Sequence, residues 1–67
     1  MVYIDLTGPE GNAFVLLGYA KRFGKELNYD ADEIRHIQNK MQESDYNRLL
    51  DVFEEYFGEF VTLLNRP

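Results

Sequence analysis

Residues 7–27 read TGPEGNAFVLLGYAKRFGKEL, and the fold turns on how this stretch is parsed. Gly8, Pro9 and Gly11 punctuate its start as a turn. Beyond them Ala13, Leu16, Leu17, Ala20, Phe23, Gly24 and Leu27 fall at helical spacing on one face. Two starts are open to this helix. Thr7 and Glu10 have the spacing of a capping box, and Asn12 is a good N-cap directly before the apolar run. Asn12 is the better start, because Gly8 and Gly11 both weaken a helix that includes them. Ala20 and Gly24 are small enough for a neighbouring helix to approach closely. Phe14, Val15 and Tyr19 lie outside the stripe, so this helix is apolar over much of its circumference. It is expected to be central, or partly covered by another subunit.

Working outward, Met1–Leu6 (MVYIDL) alternates Val2, Ile4 and Leu6 against Tyr3 and Asp5, which predicts a half-buried strand feeding the turn. Asp30-Ala31-Asp32-Glu33 opens a second helix with an Asp N-cap, acids in the first turn and Glu at N3. Its stripe of Ile34, Ile37 and Met41 is narrow, so it is expected to be peripheral. Ser44-Asp45 opens a third helix, whose wide stripe of Tyr46, Leu49, Leu50, Phe53, Tyr56 and Phe57 ends at Gly58 as a C′ residue. Glu59–Leu64 (EFVTLL) reads as a second strand, and Asn65–Pro67 as a tail. The prediction is one α+β domain over residues 1–67, ordered β-α-α-α-β, with the helices packed against a short two-stranded sheet.

Sixty-seven residues bury only about 60% of the surface that the unfolded chain exposes, so the core must be efficient. Five Tyr and five Phe supply it and argue against disorder. The chain has no cysteine, hence no disulfide and no thiolate metal site. That fits a cytoplasmic protein, and no apolar run approaches the ~20 residues of a membrane span. A net charge of −5, from twelve acidic and seven basic residues, disfavours general binding to nucleic acid or anionic membranes.

Catalytic chemistry finds little to work with. His36 is the one histidine and has no Cys or Ser at triad-like spacing. Asp30, Asp32 and Glu33 suit a helix dipole better than a calcium site, which needs 6–8 oxygens from a dedicated loop. No enzyme activity, cofactor or metal is expected.

Two constellations remain. Asp51, Glu54, Glu55 and Glu59 form an acidic strip that, with Phe60, would receive a basic protein partner. The turn Gly8–Asn12 joins a strand to a helix N-terminus, a place where backbone N–H groups bind anions. Gly8, Gly11 and Asn12 would hold phosphate there, Lys21, Arg22 and Lys25 would neutralise charge, and Tyr19 would stack on a base. Glu10 and the absence of a Walker or G-x-G-x-x-G spacing weigh against that alternative. The two open edges of a lone two-stranded ribbon, with the over-apolar first helix, predict a homo-oligomer, in the first instance a dimer.

The stretch IDLTGPEGNAFVLLGYAKRF resembles a group of small, largely uncharacterised proteins of tailed bacteriophages, which pair a short strand with a G-N-A-F turn and a helix. SDYNRLLDVFEEYFGEFVTLL resembles the D-Y…L…F…Y/F-G segment that closes those chains. The resemblance implies an origin in a phage accessory region, where small proteins commonly bind host factors or blunt host defences. It brings no catalytic motif with it. The expected function is non-catalytic binding of a host protein, with oligomeric sequestration of a small anionic, cyclic nucleotide as the alternative.

Overall fold

The computed structural model describes residues 2–67; Met1, at the head of the expected first strand, lies outside them. Strand β1 (Val2–Asp5) opens the fold and strand β2 (Val61–Leu64) closes it. They pair in parallel, with Val2 opposite Val61 and Asp5 opposite Leu64. Two bonds extend the ladder past its ends, Val2 N to Phe60 O (2.9 Å) and Leu6 N to Leu64 O (3.0 Å). Parallel strands cannot be joined by a hairpin and need a long crossover. Here the crossover is the whole helical unit: α1 (Ala13–Glu26), α2 (Ala31–Met41) and α3 (Tyr46–Phe57). The α+β architecture and its β-α-α-α-β order match the sequence reading.

Local chemistry sets the helix starts. Asn12 is extended (φ −71°, ψ 136°), and its Oδ1 accepts from the Phe14 N–H at 2.7 Å, so α1 begins there. The Thr7 alternative does not form. Pro9–Gly11 is a single 3-10 turn with no side-chain cap, and Thr7 turns back to give both its N–H (2.9 Å) and its hydroxyl (2.6 Å) to Asp5 Oδ1. At α2 the Asp30 and Glu33 side chains cap each other's backbone. At α3 Asp45 Oδ1 accepts from Arg48 N at 2.9 Å.

Gly58 departs from expectation. It is right-handed (φ −64°), not the left-handed residue of a typical glycine C-cap. What requires glycine is proximity, since a Cβ there would lie 3.3 Å from the Glu54 carbonyl carbon and closer still to its oxygen.

Ile4, Leu16, Ile37, Met41, Leu50, Phe53, Phe57 and Val61 are buried in one core. Phe23 presents its ring to Phe53, Phe57 and Phe60 at centroid distances of 6.3, 6.0 and 5.5 Å. The central helix is α3, which packs on α1, α2 and β2. Having neighbours on three sides explains why Val52, outside the predicted stripe, is also buried. Helix α2 is less peripheral than its narrow stripe implies, because it wedges against both α1 and α3. Gly24 permits this: a Cβ at that position would meet Ile34 Cγ1 of α2 at 2.8 Å. The outer face of α1 stays bare, with Phe14 82% and Val15 39% exposed.

Candidate functional site

Two tyrosines organise a concavity between the α1–α2 connection, α2 and the end of α3. Tyr29 lies in the connection from α1 to α2, and Tyr56 lies in the last turn of α3. Between them run two adjoining depressions of about 340 and 320 Å³, and each is lined by both rings. The first adds Asp30, the cap of α2, with Asp32, Glu33, His36 and Ile37 from its first two turns. The second adds Leu27, Glu55, Glu59 and Phe60. The result is a groove with an aromatic floor and a rim of five carboxylates. The acids of the first turn of α2 are there to complement its dipole, and the fold brings them opposite the acids that end α3.

One cation already sits in this setting. Lys40 Nζ is 3.4 Å from Glu55 Oε2 and 5.4 Å from the centroid of the Tyr56 ring. Partial burial works to lower the Lys40 pKa, but the hydrogen bond and charge of Glu55, with Tyr56, outweigh it, and the net displacement is upward. A ring face and a carboxylate acting together on an ammonium is the chemistry of basic-side-chain recognition.

The predicted acidic strip is divided by the structure. Glu55, Glu59 and Phe60 line the groove. Asp51 and Glu54 are held by Arg66, whose Nη1 is 2.7 Å from Glu54 Oε1 and whose Nη2 bonds Asp51 Oδ1 and, at 3.0 Å, Asn47 O. These carboxylates raise the Arg66 pKa above its ordinary value, Asp51 first. The expected tail is thus pinned to α3, and two of its acids are already neutralised.

The turn Gly8–Asn12 is also committed internally. Gly8 N donates to Asp5 O (3.2 Å), Gly11 N to Gly8 O (3.0 Å) and Asn12 N to Pro9 O (3.3 Å). The Tyr46 hydroxyl donates to Gly11 O, and the Tyr19 hydroxyl donates to the Glu10 carboxylate. That bond raises the Tyr19 pKa. The Tyr19 ring stacks on Phe23, 5.4 Å away and 8° from parallel, which fixes it within the protein. Lys21, Arg22 and Lys25 gather with Gly18 and Glu26 around a shallow depression on the outside of α1. At ~1.5 Å per residue, Lys21 is about 13 Å along the helix from Asn12, so loop and cations do not meet within one chain.

Among the described residues no group of three or more His, Asp or Glu side chains is placed to hold a metal ion. No helix among them is long and apolar enough to cross a membrane. No family model, curated protein or solved structure matches the chain. Sequence reasoning missed the pairing of Tyr29 with Tyr56 and the convergence of the α2 and α3 acids. The signal for the latter was present in the acid clusters, but their meeting depends on how the helices pack.

Proposed function

We propose that this chain is a non-catalytic accessory protein of the tailed-phage type, which binds a lysine- or arginine-rich segment of a host protein in the Tyr29–Tyr56 groove. The observation that carries the reading is the groove itself, with two tyrosine rings in its floor and five carboxylates on its rim. Aromatic faces with carboxylates select extended cationic side chains, and the negative rim steers a basic partner. Counter-defence is the biological role such binding would serve, consistent with the resemblance to phage accessory proteins and with the net charge of −5.

The test is fluorescence anisotropy with a labelled lysine/arginine-rich dodecapeptide and an acidic peptide as control. Native protein should bind the basic peptide alone. The double variant Glu55→Lys/Glu59→Lys should raise its Kd at least tenfold, while Asp51→Asn, outside the groove, should leave it unchanged. Equal affinity of native protein and double variant would sink the reading.

The alternative, oligomeric sequestration of a cyclic nucleotide at Gly8–Asn12, has less support, because the Gly8, Gly11 and Asn12 N–H groups are bonded internally and the cations lie elsewhere on α1. A thermal shift with a cyclic nucleotide, lost in Lys21→Glu/Arg22→Glu, would favour it.

A further inference from the structure

The outer face of α1 carries both an exposed aromatic ring and a shallow depression. Phe14 projects from it 82% exposed, an aromatic knob left bare by the described residues. One turn on, Gly18 leaves open space: nothing lies within 4 Å of where its Cβ would be, and its φ is not positive. Neither a close neighbour among the described residues nor a special backbone conformation asks for glycine there, although glycine in a helix interior is less favourable than alanine. Beyond Gly18 comes the shallow depression lined by Gly18, Lys21, Arg22, Lys25 and Glu26. Residues 18, 21, 22 and 25 stand at i, i+3, i+4 and i+7, the diamond of four that receives a knob from a facing helix. Phe14 lies four residues before Gly18, and the centre of the hole, between Lys21 and Arg22, lies three to four after it. Knob and hole are therefore related by a two-fold axis through Gly18.

We propose that α1 packs antiparallel against α1 of a second copy about that axis, each Phe14 entering the hole of the other. A second copy fits this face better than an unrelated partner, because the knob and its own complement are both present and symmetrically placed, as an isologous interface demands. The charges agree. Antiparallel order sets each Phe14 ring among the second copy's Lys21, Arg22 and Lys25, where cations stabilise an aromatic face. It also keeps the two basic halves at opposite ends. Of those three cations only Arg22 has an ion pair among the described residues, to Glu26 at 3.7 Å. The missing Gly18 side chain lets the helices close to the short end of the usual 8–10 Å. This interface shares no residue with the acidic groove and stands independently of it.

The chain contains no cysteine, so Gly18→Cys places a single thiol on the axis. Mild oxidation should convert it to a covalent dimer on a non-reducing gel, while Glu33→Cys, away from the axis, stays monomeric. Light scattering at about 100 µM should give twice the chain mass for native protein and the monomer mass for Phe14→Asp, with unchanged circular dichroism because Phe14 contacts solvent. A monomeric native chain, a Phe14→Asp variant that remains dimeric, or a Gly18→Cys variant that does not cross-link would each overturn the proposal.

Discussion

Gly11 sits directly against the backbone of Leu6: a Cβ at position 11 would lie 2.7 Å from the Leu6 carbonyl carbon and nearer still to its oxygen. The contact is backbone to backbone, so no rotamer change can relieve it. Gly11→Ala is expected to destabilise the fold by about 1–3 kcal/mol through overpacking. Gly24→Ala meets side chains rather than backbone, Ile34 closely and Tyr29 at 3.7 Å, which can shift, and should cost less. Urea midpoints of the two variants check the order, and a Gly11→Ala protein as stable as native would show that the loop is free to move.

Phe23 joins the first helix to the third and to the residue before β2 through three ring contacts. Phe23→Ala is expected to cost about 3–5 kcal/mol, combining lost transfer energy with the cavity left behind. A domain of this length has a total stability of roughly 3–10 kcal/mol. The variant should therefore be largely unfolded at 37 °C, read by near-ultraviolet circular dichroism. Full retention of the native signal would mean that Phe53, Phe57 and Phe60 close over the gap.

The features legible in the sequence are those written in local chemistry. Asn12, the Asp30–Glu33 box and Asp45 announced the three helix starts because a cap bonds within two or three residues of itself. Ile34, Ile37 and Met41 were legible because burial repeats with the helix. The features that escaped depend on packing. Val52 is buried outside the helical stripe, on a helix that has neighbours on three sides. Arg66 reaches Asp51 across fifteen residues, and no periodicity records such a pairing. The groove escaped for the same reason, since Tyr29 and Tyr56 come together only when α2 wedges between its neighbours.

Asp5 closes the sheet by accepting from Thr7 N, Thr7 Oγ1 and Asn65 Nδ2, the last at 3.1 Å. The Thr7 hydroxyl, then the Thr7 N–H, then Asn65 lower its pKa below the ordinary value. A carboxylate whose pKa falls on folding adds stability above its unfolded pKa and loses it as pH drops through the folded one. Native protein should therefore exceed Asp5→Asn in urea midpoint at pH 6. The gap should begin to shrink near pH 4, where free aspartates titrate, and vanish once the folded carboxyl is protonated. A gap of constant size between pH 6 and pH 2.5 would remove Asp5 from the acid response.

Lys40 already makes, from within the chain, the contacts that the proposed binding would give a basic side chain, with its ammonium over Tyr56 and beside Glu55. If the groove receives cations, Lys40 competes with them, and removing it should improve binding rather than harm it. Lys40→Met keeps the apolar stem and frees both Glu55 and the Tyr56 face. Exposed ion pairs are weak and salt-sensitive, so the expected gain is roughly two- to fivefold in affinity for the basic dodecapeptide at low ionic strength. It should fade by about 0.5 M salt as screening shortens the reach of the rim charges. Tyr56→Ala in the same titration should weaken binding at both ionic strengths, because the ring contributes contact as well as field. Weaker binding in Lys40→Met would mean that Lys40 shapes the groove instead of competing for it, and the peptide would then have to be seated on the Asp30–Glu33 half.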